Sequence, residues 1–372
     1  MLNYIATSLL IGAASAAAVK RPTYSHGDCH QFAIPIKASS PGAVYKLPVV
    51  NNDLTTTAWA VAADCWSSEV REVVENITIS GTYSIHAQLC VPTGSNAKDV
   101  LQIATHGGHY DKRYWDSEYR PKDHSWRKER HPRRYRGVQT GIELDILRQL
   151  TKHAREGTLL SPKDWHMAPS SPPAKIVHLG HSFGSVMTTA FLTNYPNETD
   201  GGIITGFAIN PYFGLTGMSS WYANYAATTH SPDGPKWDRP SGYVVSQKEG
   251  IQVVFFGGDP STAFTEEQLE YGDKIKQPLP IGELASGAQV LGRPGGGFTG
   301  PVQYVLAEFD MFICKGDCKG ATNETVLRNT QWPNAADIEV VVQPNTGHAF
   351  PLHNNATAGF QLTWDFLERH GL

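Results

Sequence analysis

Residues 175–185 read KIVHLGHSFGS. An apolar run of β character ends at Gly180, and a helical pattern begins just after Gly184. Between them, Gly180-His181-Ser182-Phe183-Gly184 matches G-x-S-x-G, the mark of a serine raised on a sharp strand-to-helix turn. Such a turn is tight and strained, and a side chain at 180 or 184 would strike the backbone around the serine. It lifts Ser182 above the end of a sheet, at a helix N-terminus where backbone N–H groups face developing negative charge. The bland alternative is a glycine-rich turn with an N-cap serine. The residues C-terminal to the turn separate the two.

A serine hydroxyl is a weak nucleophile and needs a base that a third group orients. The partners come in the order Ser, Asp, His. VQYVLAEFD places Asp310 just past one strand, and EVVVQPNTGHAF places His348 in the loop past the next. Both then fall at the carboxyl edge of the sheet, where Ser182 also sits. Glu308 and Asp317 compete for the acid position, but Glu308 should point the opposite way from its strand neighbours. Among fifteen histidines, His353 is the nearest rival to His348. An oxyanion needs two N–H donors. Phe183 supplies one, and the loop His106-Gly107-Gly108-His109 the other, from Gly108 or alternatively His109. Two histidines three apart, without carboxylate or thiolate partners, make a poor metal site, so no metal and no cofactor is expected.

Around these motifs, short apolar runs alternate with helical patterns, which implies βαβ units and a mostly parallel sheet. Strands are expected at 31–37, 77–91, 100–104, 175–179, 202–209, 302–307 and 338–342. Helices are expected at 138–156, 185–194, 322–330 and 356–368. Residues 212–301 break the alternation and read as an inserted cap. It is rich in aromatics, Trp221, Tyr222, Tyr225 and Trp237 among them, and ends in RPGGGFTGP, a return linker. A chain of 372 residues accommodates one catalytic domain with such a cap. A net charge of −4 gives no general pull toward nucleic acid or anionic lipid.

The N-terminus reads as a signal peptide over 1–18: the apolar YIATSLLIGA, too short to span a bilayer, precedes the small residues ASAAA. It predicts a secreted, extracellular protein with no transmembrane segment. Five cysteines occur. Cys314 and Cys318, in CKGDC, are spaced to close one loop as a disulfide, and the pairing among Cys29, Cys65 and Cys90 stays open. Asn76, Asn197, Asn323 and Asn355 each head an N-x-Thr glycosylation site.

Together THGGHYDKRYWD, KIVHLGHSFGS, VLAEFDMFICKGDC and NTGHAFPLHNNA resemble the secreted α/β-hydrolases of filamentous fungi, from about Cys29 to the C-terminus. The resemblance implies the α/β-hydrolase fold over 19–372, a mostly parallel sheet flanked by helices, with the cap at about 212–301. It also implies metal-free cleavage of a small-molecule carboxylic ester through an acyl-enzyme. The cap's aromatics point to an apolar substrate, although they equally suit the cap's own core. Thioesters and peptides would use the same machinery.

The chain departs from the fold in one place. The fold calls for a strand between the oxyanion loop and the helix near Val138, yet 116–137 holds no run of three apolar residues. Ten Lys/Arg fall between Lys112 and Arg136. The stretch reads as a damaged or incomplete segment before a basic surface insertion or a polyanion site. One central strand is therefore expected to be missing. Either a gap or a direct pairing of 77–91 with 100–104 should result, with 116–137 an irregular, exposed basic loop. The alternative function is a catalytically impaired binding protein or an incomplete gene product.

Overall fold

Strand β5 (Lys175–His181) is buried on both faces along almost its whole length, which is why it reads as a continuous apolar run ahead of the G-x-S-x-G turn. A computed structural model describes residues 3–6, 27–64, 72–92, 100–117, 119, 137–161, 163–208, 220–231, 237 and 239–372. In chain order the strands are β1 (Asn3–Ala6), β2 (Gly27–Tyr45), β3 (Val73–Pro92), β4 (Val100–Thr105), β5, β6 (Gly201–Thr205), β7 (Ala223–Tyr225), β8 (Tyr243–Ser246), β9 (Leu279–Pro280), β10 (Val302–Ala307) and β11 (Ile338–Gln343). The main sheet runs β11-β10-β6-β5-β4-β1-β3-β2. From β4 to β11 every pairing is parallel, and β2 and β3 form a long antiparallel ribbon at the other end. With helices on both faces, this is the α/β-hydrolase fold expected from the sequence.

Alternation along β5 explains the layers: Ile176 packs to one face, Val177 and Leu179 to the other. The Ile176 face is covered by Met187, Ala190 and Phe191 of the helix Phe183–Asn194. Helix Thr140–Arg155 turns Ile142, Ile146 and Leu150 onto Ile34, Ile36, Tyr83 and Ile85 of β2 and β3. The Val177 face is covered by Phe366 and Leu367 of helix Ala356–Arg369 and by residues between Trp221 and Ile281. There β7, β8 and β9 make a small antiparallel sheet. Ile251, Phe255, Leu269 and Leu279 join the same core as Ala104, Val177 and Leu306, so these residues are packed onto the sheet.

Two expectations need correction. First, the slot between β3 and β4 is neither open nor closed by direct pairing. Residues Asn3–Ala6 fill it, parallel to β4 and antiparallel to β3. Backbone groups along a central sheet require partners, and Asn3–Ala6 supply them to β3 and β4. The rest of the proposed leader, residues 1–2 and 7–18, lies outside the described residues. Second, the basic stretch does not begin on the surface. Lys112, Arg113, Asp116 and Ser117 are all buried, Arg113 forks onto Asp111 at 2.8–3.2 Å, and Asp116 accepts from Gln88 at 2.7 Å. Residues 118 and 120–136 lie outside the described residues.

Cys314 and Cys318 form the expected disulfide. A second joins Cys29 to Cys90, which the β2–β3 register sets directly opposite each other. Cys65 lies outside the described residues. Asn76, Asn197 and Asn323 are exposed, whereas Asn355 is half-buried and donates to Pro344 O. No helix among the described residues is long and apolar enough to cross a membrane.

Candidate functional site

The strand-to-helix turn places Ser182 at φ 54°, ψ −116°, between β5 and the helix Phe183–Asn194. A positive φ is costly for a residue with a side chain and persists only when its surroundings fix it. The two glycines show how. A Cβ on Gly180 would stand 2.3 Å from Gly184 O, and one on Gly184 would stand 2.4 Å from Thr105 O. The turn is further pinned to β6, since Ser182 N–H donates to Thr205 O at 2.9 Å and Ser185 Oγ donates to the same carbonyl at 2.8 Å. Ser182 remains half-exposed.

Asp310 and His348 meet at the same edge. Asp310 follows β10 and caps the short helix Met311–Cys314, its Oδ1 accepting from Ile313 N–H at 2.8 Å. Its Oδ2 lies 2.5 Å from His348 Nδ1, and neither residue is more than 1% exposed. That contact directs the other ring nitrogen, Nε2, away from the carboxylate. The ring of His348 is enclosed by His181, Phe255 and Phe312 at centroid distances of 4.7, 5.4 and 5.7 Å. Burial holds the His181 imidazole well below the ordinary histidine range, with His348 adding to the effect, so His181 is an uncharged neighbour. No hydrogen bond joins Ser182 to His348 among the described residues. Such bonds are commonly long in unliganded sites and tighten with substrate.

The rivals are committed elsewhere. Glu308 pairs with Lys319, accepts from Asn345 N–H at 2.8 Å, and is held below the usual carboxylate range by that lysine. Asp317 accepts from Lys319 N–H at 3.0 Å. His353 uses both ring nitrogens on backbone, Nδ1 on Ala349 O at 2.9 Å and Nε2 on Gly347 N–H at 3.0 Å, and so braces the His348 loop.

The loop after β4 comes up beside the serine: a Cβ on Gly107 would stand 3.0 Å from Ser182 Cβ. The next amide, Gly108 N–H, has no protein partner among the described residues. Phe183 N–H, at the first helical position, has no intrahelical acceptor. Both residues border a cavity of about 100 Å³. None of Trp221, Tyr222, Tyr225 and Trp237 lines it. Trp221 and Trp237 are core residues, 4% and 3% exposed, and Tyr222 is 60% exposed. Those aromatics therefore do not carry the apolar-substrate expectation, and the cavity's apolar border comes from Val138, Met187, Pro278, Leu279 and Pro280. Among the described residues no group of three His, Cys, Asp or Glu is placed to hold a metal ion.

Sequence reasoning missed two carboxyls that border the cavity. Glu143 and Glu283 share a hydrogen bond there, and burial pushes Glu143 up to about 8 and Glu283 well above the usual carboxylate range. His109 borders the same space. It stacks on Trp221 at 4.4 Å, and burial, reinforced by Lys276, brings its imidazole down to about 3. No linear signal marks the carboxyl pair, because Glu143 and Glu283 are far apart in the chain.

The carboxyl pair has a consequence for stability. Glu143 keeps its proton in the folded chain up to about 8 but loses it near 4.5 when unfolded, so the folded state binds more protons between these values. Stability contributed by this pair is therefore present at low pH and lost as pH rises through that window. His109, His178 and His181, all lowered by burial, act oppositely and have finished doing so by about pH 7. Urea unfolding at pH 7 and 8.5 should show a fall that Glu143→Gln reduces by on the order of 1–2 kcal/mol. An identical fall in both proteins would remove Glu143 as its source.

No protein-family model and no curated protein matches the sequence. Among solved structures, the chain is similar to a peroxisomal α/β-hydrolase, Lpx1, of Saccharomyces cerevisiae, with 13% identity and a TM-score of 0.45, covering 93% of this chain and 88% of that one. An esterase of Thermogutta terrifontis matches at 16% identity and a TM-score of 0.42, covering 73% and 90%. The methylesterase MES16 of Arabidopsis matches at 14% and 0.40, covering 72% and 98%. Likeness this distant transfers nothing of those proteins' activities to this chain.

Proposed function

We propose that the chain is a serine hydrolase cleaving carboxylic esters through an acyl-enzyme. The observation that carries this reading is the buried 2.5 Å contact between His348 Nδ1 and Asp310 at the sheet edge where Ser182 sits in its strained turn. Ser182 Oγ attacks the ester carbonyl carbon while His348 Nε2 takes the hydroxyl proton. The carbonyl oxygen becomes an oxyanion, held by Gly108 and Phe183 N–H. As the intermediate collapses, the C–O bond to the alcohol breaks and the alcohol leaves with the proton from His348. Water then attacks the acyl-serine, giving its proton to His348, and the acid departs as Ser182 recovers its hydrogen. Asp310 holds the imidazole in the tautomer that leaves Nε2 free to accept.

Secretion belongs to the same proposal. Two disulfides suit an oxidising compartment, and three of the four glycosylation asparagines are exposed. The alternative of a non-catalytic relative drew on a missing strand, and Asn3–Ala6 stands in that place.

A fluorophosphonate probe should label the protein at Ser182, with labelling abolished in Ser182→Ala while folding is retained. Undiminished labelling of that variant would falsify the assignment of the nucleophile.

A further inference from the structure

Resting on the ester-hydrolase reading, we propose that the cavity beside Gly108 and Phe183 is a polar subsite that takes a hydroxyl group of the substrate, held by Glu143, Glu283 and His109.

The site is built on fixed elements. Glu143 lies in the first turn of helix Thr140–Arg155 and Glu283 in the first turn of helix Ile281–Ser286. The two helices are bolted together, Thr140 N–H donating to Ser286 Oγ at 2.9 Å and Thr140 Oγ1 to Ser286 O at 2.6 Å. Glu143 is buried and Glu283 half-buried. Glu143 keeps its proton up to about 8 and Glu283 beyond that, so near pH 7 both carboxyls are uncharged, and outside the hydrogen bond they share they keep oxygens free to accept.

His109 is the independent observation. It is 2% exposed, it borders the same cavity, and both of its ring nitrogens are buried with no hydrogen-bond partner. Buried polar atoms in folded proteins are nearly always paired, so two orphans on the ring of a residue that borders the cavity point to an absent partner. As a neutral imidazole it offers one donor and one acceptor. A hydroxyl fits this lining: it can accept from the imidazole N–H and donate to a carboxyl oxygen.

Charge and solvation decide against the other classes. Arg239 borders the cavity, and Lys276 lies close enough to oppose protonation of His109. With both carboxyls protonated, the pair offers a cationic group no counter-charge. An alkyl chain would seal the imidazole and the carboxyls from water without replacing their hydrogen bonds. Because the cavity is bordered by both oxyanion donors, a carbonyl bound there brings either the acyl or the alcohol side of the ester to it.

Two nearly isosteric pairs test this by pH-stat hydrolysis: methyl 3-hydroxypropionate against methyl butyrate, and 2-hydroxyethyl acetate against propyl acetate. The hydroxylated member of one pair should have the higher kcat/KM by about tenfold or more, and the responsive pair identifies the side. In Glu143→Met that ratio should fall toward one, and in the more conservative Glu143→Gln it should fall in part. If neither variant folds, the wild-type ratios still decide. Equal rates within both pairs overturn the polar subsite and leave the ester-hydrolase reading standing. Faster turnover of protonated 2-(dimethylamino)ethyl acetate than of 2-hydroxyethyl acetate overturns it in favour of a cationic ligand. Absent hydrolysis of every ester, with no fluorophosphonate labelling at Ser182, overturns the catalytic reading and the subsite with it.

Discussion

Asn in place of Asp310 should lower kcat/KM for a short p-nitrophenyl ester by about 10⁴-fold with the fold preserved. The size of the effect comes from what each carboxylate oxygen does. Oδ1 caps the helix Met311–Cys314 through Ile313 N–H at 2.8 Å, and Oδ2 faces His348 Nδ1 at 2.5 Å. An asparagine can keep its carbonyl on Ile313, which spares the cap and the buried packing. Its NH₂ then points at His348 Nδ1 and makes that nitrogen an acceptor. The imidazole proton moves to Nε2, the atom that must take the proton of Ser182, and the base is lost without loss of shape. Thermal unfolding of the variant should stay within a few degrees of wild type. Because Ser182 attack on a fluorophosphonate uses the same base, labelling should slow in parallel. A rate within tenfold of wild type would show that Asp310 is not the orienting acid. Glu308→Gln is the matching control, since Glu308 is engaged by Lys319 and Asn345 and should matter little to turnover.

Why the triad order could be read from the sequence while the cavity could not is a matter of distance along the chain. Gly180 and Gly184 are required by backbone only a few residues away or by the neighbouring strand, so their spacing carries the turn's geometry by itself. Asp310 and His348 come after consecutive parallel strands, and such strands deliver the loops beyond them to one edge. Glu143, by contrast, looks like an ordinary first-turn acid complementing a helix dipole. Only the packing of helix Ile281–Ser286 against helix Thr140–Arg155 sets Glu283 against it. The Cys29–Cys90 disulfide was equally hidden, because it depends on the register of a ribbon whose ends, 27–45 and 73–92, run well past the apolar runs that announced it. Helix Asp53–Asp64 escaped because its threonines give little amphipathic pattern, and it is started by Asn52 Oδ1 accepting from Thr55 N–H.

The strand at the N-terminus was illegible for a different reason: a short apolar segment before small residues has one composition and two uses. Its place in the sheet makes the second large expected effect. A chain beginning at residue 19 should unfold at a markedly lower urea concentration than one beginning at residue 1. Asn3–Ala6 pairs with 101–104 on one side, and Ile5 and Ala6 pair with Leu89 and Gln88 on the other. Leu89, Leu101, Ile103 and Ala104 are at most 2% exposed, so the backbone left bare by the cut is largely shut off from water. Each buried amide or carbonyl without a partner costs about 1–3 kcal/mol, and a few of them consume much of the ~5–15 kcal/mol that stabilises a domain. The damage should be local. Strands β5, β6, β10 and β11 pair with one another and keep Ser182, Asp310 and His348 on their edge. But β4 leads directly into His106 to His109, so loosening it should slow fluorophosphonate labelling by disordering Gly108. Hydrogen exchange reads this directly: amides of 88–89 and 101–104 should lose protection while those of β10 keep it. A signal peptidase cut near residue 18 would make the same deletion, so a secreted chain must fill the slot from elsewhere, and 116–137 is the stretch that precedes the next helix. Equal unfolding midpoints, with protection retained at 101–104 in the shortened chain, would show that another segment holds that place.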